Sequence, residues 1–367
     1  MLWIYPVTII FSAFFAWLAS RVKNKGVMIL CSIISVLIPS IVGGLRTVDV
    51  GIDSLIYGLP HAMLAETSKT FAEFVASSSN KELGYKLLCY TVMHTFGHVN
   101  WCYFFYQLIT VGCFYIGAYK HRKIAPLAFI MIIFLSVQWI GSMSMIRQSM
   151  AASIIIMGLD HVEKKEYIKF MLYIIAAFFF HASALVCIGL ILGVHIIVTS
   201  KTYFRYMMIF IIMLMIFNFR AVTIMVFQTF QSFNIIPVHY VGYVEEAPDG
   251  WGGVGSITLT MSRIGTYLIF CLYSRRGKKL LGNLNFEYYK FNTLFYLVLS
   301  AVLTINGRIL VYNTYLQSII LAFMPFCVKS KYLRLLLIVS VLFAIIVPTI
   351  RGGFIANYFA YKSIIDF

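Results

Sequence analysis

Apolar stretches of about 20 residues recur from one end of this chain to the other, and short basic clusters separate them. A run of that length, once helical, matches the width of a lipid hydrocarbon layer, because a helix rises about 1.5 Å per residue. With 61% hydrophobic residues and a mean hydropathy of +0.89 over 367 residues, a water-soluble fold would hold more apolar surface than it could bury. The expected fold class is an all-α polytopic membrane protein, one integral domain over residues 1–367. Its spans, about twelve, are placed at 2–19, 27–45, 100–119, 125–142, 145–160, 167–181, 182–199, 203–218, 257–274, 289–305, 309–327 and 333–350. The first run carries its charges after it, and no small-residue cleavage site follows a basic segment, so it reads as a span and not a removable signal. The seven cysteines are scattered without paired spacing and read as small core hydrophobes.

The net charge of +16 raises the possibility of a nucleic-acid partner, but its distribution argues for topology instead. With the N-terminus outside, one face receives the clusters "RVKNK", "KHRK", "EKKEYIK", "KTYFR", "RRGKK" through Lys290, and "KSKYLR", which hold most of the 29 lysines and arginines. That face is cytoplasmic by the positive-inside rule. The assignment requires residues 84–96 to lie at the outer interface, where a short segment of mixed polarity fits. Two long extracytoplasmic loops result, 46–99 and 219–256, expected to contain short interfacial helices. The second, with Pro237, Pro248 and "DGWGGVGS", reads as a flap, so chemistry should face outward.

Arginines gather at the outer ends of the expected spans: Arg46, Arg147, Arg220, Arg308 and Arg351, with Arg263 about 9 Å down the ninth. An unpaired arginine at helix-centre depth costs roughly 2.5 to 3.5 kcal/mol, so each requires a partner, a wet cavity or a snorkelling stem. Arg46, Arg147, Arg263 and Arg308 are the candidates for an inward-facing anion site, and Arg220 and Arg351 for interfacial anchors. The guanidinium fork grips phosphate oxygens bidentately, which fits a lipid-linked phosphate or diphosphate in the outer leaflet.

Asp49 and Asp53 follow Arg46 within seven residues. They could share a helix face, or Gly51 could turn the chain between them, and the roles open to them are orienting sugar hydroxyls, holding Arg46, capping a helix, or binding Mg²⁺, although a metal site on a diphosphate normally draws on more oxygen ligands. Glu82 heads the interfacial segment, where capping is again an alternative. His181 sits at the outer junction of two apolar runs, in "AAFFFHASALV", where an imidazole is suited to general-base work or to a structural contact. His94 and His98 are four apart but lack a third metal ligand, and the glycine cluster at 250–255 fits no phosphate-binding pattern.

"GLRTVDVGIDSLIY", "ELGYKLL", "SMIRQSMAASI", "HASAL" and "GRILVYNTYLQSIILAFMP" resemble, in this order, the motifs of EpsG-like proteins, which group with the Wzy-type polymerases of bacterial polysaccharide repeat units. Ile52 departs from the threonine often found at that position. The resemblance implies a membrane-embedded glycosyltransferase, similar to the GT-C type, in the bacterial cytoplasmic (inner) membrane with its site facing the periplasm or exterior. It would move a growing glycan from one undecaprenyl diphosphate carrier to a second carrier-linked unit, making O-antigen, capsular or exopolysaccharide. By this analogy Arg46, Arg147, Arg263 and Arg308 hold diphosphate, while Tyr57, Glu82 and Tyr312 contact sugar. For the base, His181 is the first choice, then Asp53 or Asp49. No metal and no cofactor are expected, because arginines can neutralise the leaving diphosphate. The implied partners are undecaprenyl-diphosphate-linked oligosaccharide, membrane lipid, a chain-length regulator and a flippase, with no nucleic acid. The rival readings are a transporter of lipid-linked glycan, a membrane O-acyltransferase, and an O-antigen-ligase-like transferase.

Overall fold

The computed structural model describes residues 3–78, 82–200, 228–229, 257–302, 310–356 and 363–364. Among these the fold is helical, with one isolated bridge between Arg46 and Ser363 in place of any sheet. The described part of every expected span outside 203–218 falls largely on helical segments; that span, nearly all of the second long loop with Arg220, and Arg308 lie outside the described residues. By length and composition, four helices can cross a membrane: Ile4–Arg21 (α1), Lys25–Gly44 (α2), Val99–Lys120 (α6) and the continuous Ala182–Thr199. Shorter apolar helices fill Leu127–Ser142, Ile146–Met157, Tyr167–Phe178 and Met261–Leu272.

Helices α1 and α2 pair through small residues, as helices in lipid must when hydrophobicity cannot drive them together. Ser12 Oγ donates to the Ser35 carbonyl at 2.7 Å, and Ser35 Oγ returns a bond to the Ser12 carbonyl at 2.8 Å. The outer faces expose Ile10, Phe14, Trp17, Leu30 and Ile33, side chains that only lipid would accept in such density. Helix α6 lies behind α2 and packs on Ile146–Met157 (α9) so closely that a Cβ at Gly117 would sit 2.5 Å from the Ile156 carbonyl oxygen. The innermost helix is Val311–Phe323 (α16), where every residue except Thr314 is buried. A helix buried on all sides belongs at the centre of a bundle, its polar Gln317 pairing with Asn292 and Asn313 and its Ser318 with Gln138, and α16 carries Tyr312 there.

The first long loop is folded. A π-helical turn at Ser54–Gly58 leads into Leu59–Thr67 (α3), Phe71–Ser77 (α4) and Leu83–Phe96 (α5). These helices bury Ala62, Ala65, Phe74, Tyr85, Cys89 and Met93 as a second core against Cys102, Tyr103 and Tyr106 of α6. Helix α5 has 14 residues and stops at Gly97 in the left-handed conformation (φ 68°), a stop that a non-glycine residue would resist. At about 21 Å it is shorter than the hydrocarbon layer, as the sequence requires of it. Between α6 and α9 run Leu127–Phe134 (α7), a π-helical Leu135–Trp139 and a single turn at Ile140–Ser142 (α8). The chain continues through Leu159–Glu163 (α10), Tyr167–Phe178 (α11), a 3-10 turn at Ala182–Val186, a π-helical Ile188–Gly193, and Val194–Thr199 (α12). After residue 256 come Ile257–Leu272 (α13), Ser274–Leu281 (α14), Asn283–Val302 (α15), α16, and Lys331–Ala356 (α17).

Candidate functional site

The turn after α2 organises the site. Asp49 and Asp53 do not share a helix, because Gly51 reverses the chain at φ 99°. A Cβ at Gly51 would meet the Met143 carbonyl oxygen at 2.1 Å, so only glycine lets the turn sit against the α8–α9 junction. That seating delivers the Asp53 carboxylate to the backbone N–H of Ile146, the first residue of α9, which donates to Oδ2 at 3.0 Å. Arg46 is fully buried: Nη1 donates to the Gly43 carbonyl at 3.2 Å, Nη2 to Ser54 Oγ at 3.1 Å, and the guanidinium lies 4.6 Å from the Tyr103 ring centre. Asn100 Nδ2 clamps the same turn by donating to the carbonyls of Gly44 (2.6 Å) and Arg46 (2.8 Å).

Arg147 follows at the start of α9, where the unpaired N–H groups make a cation unfavourable and an anion welcome. It donates through Nη1 to Glu82 Oε2 and lies 3.9 Å above the Tyr57 ring, with Tyr85 at 5.8 Å. Its Nε is buried and has no hydrogen-bond partner. Glu82 makes no side-chain cap on α5, which sets aside the capping alternative for it. The Gly84 N–H donates to the Phe179 carbonyl at 2.8 Å, tying the start of α5 to the end of α11 and so bringing Glu82 beside His181. His181 Nε2 stands 3.8 Å from Glu82 Oε1. On the ring's other side, Nδ1 accepts from the Ser183 N–H at 3.1 Å and lies 2.6 Å from Ser183 Oγ. Ser183 Oγ is in turn 2.9 Å from the Tyr312 hydroxyl of α16 and accepts from Gln148 Nε2 at 3.3 Å. Two groups thus stand side by side, the Arg147–Glu82 pair and the hydrogen-bonded His181, Ser183 and Tyr312, with 3.8 Å between Glu82 Oε1 and His181 Nε2; they are drawn from α9, the start of α5, the α11–α12 junction and α16.

Lys86 is also buried, its ammonium donating to the carbonyls of Val75 (3.3 Å) and Ser78 (3.4 Å) at the end of α4, and burial pulls it below the ordinary amine range despite the nearby Glu82 charge. Burial likewise lowers the His61 imidazole, assisted by the Arg147 and Lys86 charges, so it adds no further cation. Three cations, Arg46, Lys86 and Arg147, share this region with two buried carboxylates, Asp53 and Glu82. The imbalance favours an anionic ligand.

The other sequence candidates lie elsewhere. Asp49 is exposed and accepts from Thr47 Oγ1. Arg263 is buried on α13 with its guanidinium 4.1 Å from the Tyr296 ring centre on α15, and its Nε has no hydrogen-bond partner. His94 and His98 fall on either side of the Gly97 stop, on α5 and at the cap of α6, so their spacing is not a helical one. No group of three metal-ligating side chains occurs among the described residues. Ser183 and Gln148 were not candidates from sequence, although both stand inside motifs quoted above, next to His181 and Arg147.

No curated protein and no solved structure matches the chain significantly. The family model described as "EpsG family" matches residues 28–363, which takes in the turn, α5, α9, the His181 junction and α16. A match over nearly the whole length, enclosing every element that builds the cluster, places the chain in the EpsG family.

Proposed function

We propose that the protein is a polysaccharide polymerase that joins oligosaccharide repeat units carried on undecaprenyl diphosphate, at the outer face of the bacterial cytoplasmic membrane. The observation that carries this reading is Arg147: a guanidinium at a helix N-terminus, braced by Glu82 and Tyr57, with Nε unpartnered, beside the hydrogen-bonded His181, Ser183 and Tyr312. Such a group can take a diphosphate while the neighbouring hydroxyls and rings meet sugar. In this reading one carrier's diphosphate leaves with its charge held by Arg147, and a hydroxyl of the second unit attacks the anomeric carbon. Arg46 sets the shape of the turn from beneath, and Arg308 and Arg263 would serve the second diphosphate or its approach. Arginines in place of a divalent cation make the transfer metal-independent. The products would be O-antigen, capsule or exopolysaccharide, with a flippase supplying the lipid-linked units and a chain-length regulator acting on the polymer.

The test is purified protein, in detergent or liposomes, given only lipid-linked repeat units. Products of increasing length with release of undecaprenyl diphosphate are expected, and Arg147→Ala protein that inserts normally should make none. Absence of longer products from intact wild-type protein would point to a ligase or a transporter.

A further inference from the structure

A groove of about 540 Å³ runs between α13 and α17. Helix α13 lines it with Gly265, Leu268 and Leu272, α17 with Leu337 and Val341, and no charged side chain enters it. Gly265 keeps it open, since a Cβ there would meet no heavy atom within 4 Å. Packed interiors leave few voids of this size, so in a membrane the groove is a place for hydrocarbon.

One end of the groove is strongly basic. Leu272 ends α13 two residues before α14, "SRRGKKLL", and Leu337 lies about 9 Å along α17 from Lys331. The 3-10 turn Met324–Cys327 packs against α13, α14 and α17 and so brings these ends together. Arg276 of α14 donates through Nε to the Phe326 carbonyl at 3.1 Å. From the other side, Arg334 of α17 donates through Nη2 to the Val328 carbonyl at 3.0 Å and lies 5.5 Å from the Phe326 ring centre, while its buried Nε has no hydrogen-bond partner. Arg275, Lys279, Lys329 and Lys331 stand exposed around these two. Residues 257–281 and 324–345 contain no aspartate or glutamate. Glu287, on α15, is held by Lys278 at 2.9 Å and Lys290 at 2.7 Å, and among the described residues no ion pair reaches the other six cations. Helix α17 begins at Lys331, and its first N–H groups add to the attraction for an anion. An uncompensated basic patch at the mouth of an apolar groove complements a molecule with an anionic head and a hydrocarbon tail, and basic pockets between helices on the cytoplasmic side are suited to lipid head groups.

We propose that this is a binding site for an anionic glycerophospholipid of the cytoplasmic leaflet, with an acyl chain in the α13–α17 groove and the phosphate among Arg275, Lys279, Lys331 and Arg334. The lipid takes no part in the glycan transfer proposed above; it fastens α13 to α17, so the two readings stand or fall separately.

Native mass spectrometry of the full-length protein in detergent, mixed with dioleoyl phosphatidylglycerol or dioleoyl phosphatidylcholine, tests the site. One phosphatidylglycerol should be retained in preference to phosphatidylcholine. The triple variant Arg275→Gln, Lys279→Gln, Lys331→Gln should bind it about fivefold more weakly for each charge removed, roughly 100-fold in all. Gly265→Phe fills the groove and leaves every cation in place, and it should also abolish retention. Equal retention of the two lipids, or phosphatidylglycerol binding unchanged in either variant, overturns the proposal. So does displacement of phosphatidylglycerol by an equal concentration of undecaprenyl phosphate, which would give the groove to a polyprenyl tail. If Gly265→Phe fails to insert, the comparison of the two lipids on the wild type and the triple variant decides alone.

Discussion

A guanidinium cut off from solvent has to find its partners in the protein, and the two arginines of this site find them differently. Arg46 spends both terminal nitrogens on the turn itself, on the Gly43 carbonyl and Ser54 Oγ, and so acts on structure. Lysine replaces two forked nitrogens with one, which would have to serve both acceptors from a single point, so Arg46→Lys is expected to cost roughly 1 to 3 kcal/mol, measured as a lowered melting temperature in detergent. Arg147 spends one nitrogen on Glu82 and keeps Nε unpartnered. Arg147→Lys preserves the ion pair but gives up the fork; losing one charge-assisted bond of about 1.5 to 3 kcal/mol to the diphosphate lowers polymer formation by roughly 10- to 100-fold, at near-wild-type stability. Both arginines were legible in the sequence because a cation beside an apolar run is costly and demands an account. Ser183 was not, since a serine near a span costs little, and its importance comes from a tyrosine 129 residues further along the chain.

At the scale of elements, the helices are readable from apolar run length, but the junctions between them are not. Nothing in the pattern around 54–58, 135–139 or 188–193 marks a π-helical turn, because such turns arise from how neighbouring helices pack and not from the period of the apolar residues. Nor does the pattern disclose a contact at the opposite end from the candidate site, where α6, α10 and α15 meet. His121 at the end of α6 points Nδ1 at the Gly117 carbonyl (2.7 Å) and Nε2 at Glu163 Oε1 (3.1 Å), which also accepts from the Tyr289 hydroxyl at 2.7 Å. With an oxygen facing each ring nitrogen, His121 is an imidazolium. Burial pulls its pKa down, but the Glu163 charge and hydrogen bond outweigh that and raise it above its ordinary 6.5, while burial raises Glu163 and His121 pulls it, on balance, below 4.5. The histidine's contribution is therefore complete below about pH 6.5 and fades as pH rises through its raised pKa. The carboxylate's is complete above about pH 4.5 and fades as pH falls through its lowered one. Replacing one member of a buried pair costs roughly 3 to 5 kcal/mol, so His121→Gln should be destabilised by about that amount between pH 5 and 6. The gap to wild type should narrow as the pH climbs past 6.5, measured as melting temperature against pH in detergent.

Among the described residues, a folded cap built from α3, α4 and α5 around the first arginine turn lies at one end, and basic clusters lie at the other. The charge asymmetry was readable because topology is written in lysine and arginine counts, which need no tertiary contact to interpret. The cap's own core was not, since Tyr85, Cys89 and Met93 of α5 find their neighbours only when α3 and α6 are in place. That arrangement predicts which surface reagents can reach. Single cysteines at Glu66 and His94, both exposed on the cap side, and at Lys123 and Lys329, exposed among the basic clusters, divide the two faces. The native cysteines are buried or half-buried apart from Cys271, which is exposed on α13 and would be replaced by serine in the background. In intact cells a membrane-impermeant maleimide should label Glu66→Cys and His94→Cys, and should reach Lys123→Cys and Lys329→Cys only after permeabilisation. Because Glu82 and Arg147 lie at the cap end, the opposite labelling pattern would put the proposed diphosphate site on the cytoplasmic face and remove the outward-facing polymerase from consideration.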